Sequence, residues 1–232
     1  MRSNDLSEIR KLDLFKDMQD DSYDTLMRGA YVQNFPPQVE LITEGEFCDF
    51  LYILVEGSVE LVGEWNDSET TMAIIQPVST FILAAAVKDA PCLMSARTLE
   101  KSRLVFLPST DVRAGIEADN AFARAVVEDL AKCYRGVIKN AKGLKLRTSI
   151  ERLANYLLKH QKKAGGAARF QLAIEKRRLA SYLGMTPENL SRAIKSLRPY
   201  GVVIDGAQVE IADNADLTVL AKPTPLIDDS QM

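Results

Sequence analysis

Residues 176–194 read KRRLASYLGMTPENLSRAI and have the spacing of two short helices joined by a tight turn. Ala180 is small enough for two helices to cross closely, and Gly184 supplies the positive φ that such a turn needs. Thr186 followed by Pro187 is typical of an N-cap and a first helical position. The segment therefore predicts a helix-turn-helix whose second helix begins at Pro187.

A hairpin is predicted directly after this motif. Residues 202–211 read VVIDGAQVEI, which indicates two short strands joined through Asp205-Gly206. A hairpin in this place is the wing of a winged helix-turn-helix. The second helix of such a motif enters the major groove with its N-terminal side chains facing the base edges. Double-stranded DNA is therefore the predicted partner.

Three polar residues share one face of the second helix because they are spaced at i, i+3 and i+4: Glu188, Ser191 and Arg192. A carboxylate accepts from cytosine N4, an arginine binds guanine O6 and N7, and a serine contacts either class of edge. We predict that these three read bases, although an acid in the first turn is also favoured by the helix dipole. Contacts to backbone phosphates are predicted for Lys176, Arg178, Thr186 and Lys195.

The distribution of charge supports this partner, although the net charge of the chain is -3. Residues 132–199 hold 17 Lys or Arg against three acids, and the rest of the chain holds 12 basic against 29 acidic residues. A basic module is suited to binding the phosphates of a nucleic acid, and the acidic module is expected to have a different function. Solvated helix faces explain a few lysines but not this imbalance.

A long helix is predicted from Asn120, where apolar residues recur at alternating spacings of three and four. A seam on an otherwise polar helix needs a partner, and the simplest partner is the same helix of a second copy. The alternative is that the helix packs on its own N-terminal domain. A polar residue in a seam fixes register, and a cysteine there leaves a redox role open beside simple packing. The predicted homodimer seam consists of Val126, Leu130, Cys133, Val137, Asn140 and Leu144.

The first half of the chain is predicted to be a β domain with a short helix before it. Residues 39–62 alternate apolar and polar side chains around Gly57, which is the period of half-buried strands. Residues 71–75 and 103–107 are further strands, so we expect an antiparallel barrel or jelly roll. The fold class is α+β, with predicted domains at 1–118 (β-roll), 119–146 (dimerisation helix) and 147–222 (winged helix-turn-helix), and a loosely ordered tail at 223–232.

Over almost its full length the chain resembles the CRP/FNR superfamily. Residues 41–45, LITEG, and 51–59, LYILVEGSV, resemble its cyclic-nucleotide-binding-like β-roll. The set Glu188, Ser191 and Arg192 resembles the recognition signature of the FNR-type branch, and residues 217–228 resemble FtrB-like regulators. The resemblance implies a dimeric transcription regulator that binds an inverted repeat of TTGAT-like half-sites under the control of an unknown effector in the β-roll. It leaves activator or repressor open, and RNA polymerase is the implied partner of an activator.

The chain departs from the members of this superfamily that bind cyclic AMP. Those proteins carry a Gly-Glu pair and, further on, an arginine before a Ser-Ala pair. Here Met94 precedes Ser95-Ala96, and residues 79–83 replace the Gly-Glu region. A phosphate buried against a methionine lacks its counter-charge, so the sequence argues against cyclic AMP. If the β-roll holds an effector, we expect an apolar pocket with Phe81, Leu83 and Met94 as candidates.

Other cofactors and classes find little support. Residues 1–40 lack the cysteines of an iron–sulfur sensor, and His160, the one histidine, falls in the DNA-binding half, so haem is not supported. Three dispersed cysteines indicate a reducing compartment and no metal site.

The remaining expectations concern location and activity. No signal peptide or membrane span is visible, so we expect a cytoplasmic protein with no membrane partner. Without a phosphate loop or nucleophile motif, no enzyme and no catalytic residue is predicted. A ligand-binding regulatory subunit without a DNA role is the alternative function.

Overall fold

The computed structural model describes residues 3–172 and 174–229 and divides into two compact units, Met1–Cys133 and Tyr134–Met232. No helix within these described ranges is long and apolar enough to cross a membrane. The elements that begin in the first unit are α1 (Ser3–Arg10), α2 (Asp20–Arg28), β1 (Tyr31–Phe35), β2 (Glu40–Ile42), β3 (Phe50–Glu56), β4 (Val59–Trp65), β5 (Ser68–Ile75), β6 (Ser79–Phe81), α3 (Leu83–Lys88), β7 (Ser95–Thr98), β8 (Ser102–Pro108), α4 (Ser109–Ala118) and α5 (Asn120–Leu146). The second unit adds α6 (Ser149–Lys163), β9 (Arg169–Gln171), α7 (Lys176–Tyr182), α8 (Pro187–Ser196), a 3-10 turn (Arg198–Tyr200), β10 (Val202–Asp205), β11 (Gln208–Ile211), α9 (Asn214–Ala221) and α10 (Pro225–Asp228).

Two four-stranded antiparallel sheets form the β-roll of the first unit. Their strand orders are β1-β8-β3-β6 and β2-β7-β4-β5. One apolar cluster takes buried side chains from both sheets, including Leu54 and Leu104 from the first and Val59 and Leu61 from the second. The predicted antiparallel β-roll is confirmed.

Strand β3 is buried on both of its faces, and the predicted half-burial is wrong there. Leu51 and Ile53 point to a second cluster formed with the helices, while Tyr52 and Leu54 point into the roll. Alternation of side chains across a strand places odd and even residues on opposite faces. A strand covered on both sides therefore reads as the continuous apolar run LYILV.

The first half of α5 packs in the first unit. Phe122 and Val126 lie in the cluster formed by the helices and one face of the β3 sheet. The helix is 27 residues long, and the division between the two units falls inside it. Its first half therefore belongs to the core of the first unit rather than to a separate domain.

The second unit is a helical core with a small sheet, β10-β11-β9. The wing predicted from Asp205-Gly206 is present as β10 and β11, and β9 adds a third strand that the sequence did not reveal. Helices α6, α7, α8 and α9 contribute buried leucines to one cluster, and the predicted winged helix-turn-helix is confirmed. Residues 223–229 differ from the loosely ordered tail that we expected, since they form α10 and return to the α5–α6 joint; residues 230–232 of that predicted tail lie outside the described residues.

Candidate nucleic-acid interface

The helix-turn-helix consists of α7, a four-residue turn and α8. Gly184 in the turn has φ +62°, a conformation that a side chain would disfavour. Thr186 is the N-cap of α8, with its hydroxyl accepting from the backbone N–H of Asn189 at 3.2 Å, and Pro187 follows at the first helical position. Leu179 of α7 and Leu190 of α8 are buried in the shared core.

The outer face of α8 is exposed and polar. The candidate base readers Glu188, Ser191 and Arg192 all lie on it, opposite the buried Leu190 and Ala193. Hydrogen bonds from the Glu188 backbone N–H and from the Thr186 side chain lower the pKa of the Glu188 carboxyl, and Arg192 adds electrostatic attraction. An acceptor and a strong donor thus stand one turn apart on one surface.

The candidate phosphate-contacting side chains differ in exposure and in the hydrogen bonds that they already make. Lys176 and Lys195 are exposed. Arg178 is bound to Glu175 at 2.8 Å, and its side chain is only 21% exposed. A phosphate would have to share or displace that carboxylate. The Thr186 hydroxyl accepts from the backbone N–H of Asn189 and also hydrogen-bonds to the Glu188 carboxyl, so a phosphate would compete with that carboxyl for its proton.

Arg152 is a structural residue that sequence reasoning counted only as part of the basic segment. Its Nε donates to the carbonyl of Leu183 at 2.8 Å, Nη2 to that of Gly184 at 3.2 Å, and Nη1 to that of Arg147 at 2.8 Å. Burial lowers the pKa of Arg152. The guanidinium therefore connects the turn of the helix-turn-helix to Arg147, directly after α5.

The predicted seam on α5 is only partly available to a second chain. Val126 is 3% exposed in the core of its own unit, whereas Leu130 is only partly buried against that core. Placing Val126 in the seam is therefore wrong. Cys133, Val137, Asn140 and Leu144 are exposed. The exposed large apolar residues of α5 are Val127, Tyr134, Val137, Ile138, Leu144 and Leu146.

The three apolar pocket candidates in the β-roll are not brought together. Phe81 and Met94 belong to the interior cluster, where Phe81 stacks on Tyr52 with ring centroids 5.1 Å apart. Leu83 lies instead in the helical cluster. The chain turns through Ile82, whose φ is +66°, so the side chains on either side of it enter different cores. Grouping Leu83 with Phe81 is therefore wrong.

The residues around Ser95 do not fit the phosphate of a cyclic nucleotide. The Ser95 hydroxyl donates to Glu64 at 2.9 Å and accepts from the backbone N–H of Glu44 at 2.9 Å. Arg97 is held by Glu60 at 3.0 Å and Glu69 at 2.9 Å. The serine is thus committed to an acid, and the nearby arginine is already paired with two carboxylates.

Comparisons with known proteins agree with the two units. The cyclic nucleotide-binding domain model matches residues 32–119, and the Crp-like helix-turn-helix domain model matches residues 151–220. The CRP-like cAMP-activated global transcriptional regulator of Mycobacterium tuberculosis is 23% identical over 220 residues, covering 92% of this chain and 98% of that protein.

Solved structures show the same fold. FixK2 from Bradyrhizobium japonicum has a TM-score of 0.72 at 22% identity, over 84% of this chain and 98% of that chain. A CooA mutant from Carboxydothermus hydrogenoformans has a TM-score of 0.74 at 15% identity, over 95% of this chain and 97% of that chain.

Proposed function

This chain belongs to the CRP/FNR superfamily of transcription regulators, and we propose that it binds an inverted DNA repeat as a homodimer under the control of an effector other than a cyclic nucleotide. The observation that carries the proposal is the exposed face of α8, where Glu188, Ser191 and Arg192 stand together on a helix-turn-helix. A helix that reads the major groove presents its base-contacting side chains on such an exposed face, and this supports the proposal.

The base preference follows from the chemistry of this face. Arg192 has the donor geometry for guanine O6 and N7, and the ionised Glu188 accepts from a cytosine amino group. Ser191 lies between them along the helix and contacts either kind of edge. These pairings agree with the TTGAT-like half-sites that the FNR-type resemblance implies, since each half contains one G·C pair.

We propose a homodimer seam that keeps Leu130, Val137 and Leu144 and replaces the other three predicted residues by the residue that follows each of them. The exposed side chains Val127, Tyr134, Val137 and Leu144 follow a heptad pattern with Leu130 and Ala141 between them. In this register Cys133 and Asn140 flank the seam instead of occupying it. A two-fold axis along α5 would present two copies of α8 to successive turns of the major groove.

The effector of the β-roll is proposed to be uncharged or apolar. Tyr52, Phe81 and Phe106 fill the interior with aromatic rings, and the Glu64 carboxylate accepts from the hydroxyl of the serine that would face a phosphate. A buried anion beside a carboxylate is unfavourable. An activator of this type would also contact RNA polymerase.

A titration of two labelled duplexes tests the DNA preference. One duplex carries an inverted repeat of TTGAT half-sites, and the other has the G·C pair of each half replaced by A·T. We expect the full-length protein to prefer the first by about 1–3 kcal/mol per half-site. Equal affinity for both duplexes would contradict the assignment of Arg192 and Glu188 as base readers.

A further inference from the structure

The joint between α5 and α6 is held from the C-terminal end of the chain. Only Arg147 and Thr148 separate the two helices. The Arg147 guanidinium donates to both carboxylate oxygens of Asp228, with Nη1–Oδ1 at 2.7 Å and Nη2–Oδ2 at 2.6 Å. Its side chain is only 11% exposed. A two-bond arginine–carboxylate pair is strong and fixes the relative orientation of its partners.

Further contacts anchor residues 222–229, which we call the strap. The Nζ of Lys139 on α5 donates to the carbonyl of Asp229 at 2.6 Å. Lys222 pairs with Glu151 of α6 at 3.4 Å. The strap therefore binds α5 and α6 on both sides of the joint.

The Asp228 carboxylate is itself oriented by local structure. It accepts from the backbone N–H of Thr224 at 2.7 Å, inside the short turn α10. Burial raises the pKa of Asp228, but the hydrogen bonds from Arg147 and Thr224 outweigh it and lower the pKa overall. The carboxylate is thus held as an anion facing the joint.

The same joint is connected to the helix-turn-helix. The carbonyl of Arg147 accepts from Arg152, whose other nitrogens bind the carbonyls of Leu183 and Gly184. A Cβ placed on Gly184 would lie 2.6 Å from Cδ2 of Leu144, so the turn also packs directly on α5. Contacts run without interruption from the strap through the joint to the turn before α8.

We propose that the strap fixes the angle between the C-terminal half of α5 and the helix-turn-helix, with Arg147 and Asp228 as positioning residues for DNA binding. In the homodimer this angle sets the distance between the two copies of α8, and so the half-site spacing. The consequence for DNA rests on the proposed function, whereas the strap itself does not.

Hydrogen exchange of the full-length protein tests the strap without DNA. Asp228→Asn and Arg147→Gln should exchange the amides of residues 144–150 about tenfold faster than the unsubstituted protein. Asp216→Asn, a matched charge loss at an exposed position of α9, should leave them unchanged. Asp228→Glu should restore slow exchange. Unchanged exchange in Asp228→Asn and Arg147→Gln would overturn the strap.

A spacing series tests its role in positioning. Duplexes carry the same two half-sites, and the distance between the half-sites is lengthened or shortened by single base pairs. Binding is measured under conditions in which circular dichroism shows that all variants are folded. We expect the unsubstituted protein to prefer one spacing and Asp228→Asn to lose about tenfold in affinity there. The variant should also bind neighbouring spacings nearly as well, and Asp228→Glu should recover the preference.

The outcomes separate the two proposals. Equal loss of affinity at every spacing, with the preference intact, would overturn the positioning role. If the unsubstituted protein binds no duplex while the exchange result holds, the proposed function fails and the strap stands.

Discussion

Arg192 and Lys195 lie one turn apart on the exposed face of α8, and we expect them to do different work. Arg192→Ala should reduce discrimination for the guanine that it reads by about 1–3 kcal/mol. Lys195→Ala should weaken binding to all sequences alike and reduce the salt slope by about 1. Competition titrations at several salt concentrations measure both effects. If the two variants lost affinity without any change in preference, the roles assigned here would be wrong.

Asp119 joins two helices through one buried carboxylate. Its Oδ1 accepts from the backbone N–H groups of Ala121 and Phe122 at 2.9 and 3.0 Å, and its Oδ2 accepts from that of Gln19 at 2.8 Å. It therefore caps α5 and anchors the start of α2. Asp119→Asn should lower the free energy of unfolding by about 1–2 kcal/mol. Urea unfolding measures this, with the exposed Asp17→Asn as the control.

The pH dependence of this effect has a definite sign. Burial raises the pKa of Asp119, but the three backbone hydrogen bonds lower it overall. The hydrogen bond from Lys132 is the main cause that lowers the pKa of Asp13 to about 2. A depressed pKa contributes stability that is present above the unfolded value and lost as pH falls through the folded one. The free energy of unfolding should therefore decrease below about pH 4. It should decrease less steeply with falling pH in Asp119→Asn than in the unsubstituted protein. Equal slopes in the two proteins would contradict the assignment.

At the scale of the element, α5 contains two glycines that the single chain does not explain. A Cβ on Gly136 or Gly143 would meet nothing within 4 Å among the described residues. Both lie outside the proposed seam. Gly136→Ala and Gly143→Ala should each stabilise the protein by about 0.5–1 kcal/mol, because alanine loses less entropy in a helix. Thermal unfolding measures the change, and destabilisation would show that another chain approaches α5 on this side.

In the turn of the helix-turn-helix, a Gly→Ala substitution should destabilise the protein instead of stabilising it. Gly184→Ala meets both a positive φ and the side chain of Leu144, whereas Gly206→Ala in the wing, with φ +58°, meets only the conformational cost. We expect Gly206→Ala to lose about 1–2 kcal/mol and Gly184→Ala to lose more. Adding Leu144→Ala should recover the excess. Equal losses of unfolding free energy in the two glycine variants would mean that Leu144 of α5 does not pack closely against the turn.

The helix-turn-helix also shows which features can be predicted from the sequence and which cannot. The turn at Gly184, the cap at Thr186 and the hairpin at Asp205-Gly206 were predictable because each depends on neighbours within a few residues. The roles of Arg147 and Arg152 were not, since Arg147 binds Asp228, 81 residues away, and Arg152 binds the carbonyl of Leu183, 31 residues away. Basic residues that bind carbonyls look the same in sequence as basic residues that face DNA.

At the scale of the whole molecule, the exposed apolar row of α5 makes the oligomeric state testable. Val137 is 65% exposed in the single chain and central in the proposed seam. Val137→Glu should convert the dimer to monomer, since it places two charges across the seam without partners. Glu128→Lys, a charge reversal outside the seam, should leave the dimer intact. Sedimentation velocity distinguishes the states, and a dimeric Val137→Glu would contradict this seam.

The order of the domains was predictable from the sequence, and the register of the seam was not. The switch from period two to heptad spacing separates the β-roll from α5. However, the sequence allows a heptad pattern that includes Val126 and another that includes Val127. Only packing within the first unit decides which of the two valines is exposed. The strap escaped prediction for a similar reason, because a short Pro-containing tail has no local signal of its binding site.

The central claim is that this chain reads an inverted DNA repeat through α8, and selection from a random duplex pool with the full-length protein tests it most directly. We predict recovery of a two-fold repeat with TTGAT-like halves about 10 base pairs apart, centre to centre. The same selection with Arg192→Ala should lose the G·C pair. Recovery of no sequence preference, both with the protein alone and after addition of cell extract to supply a missing effector, would contradict the claim.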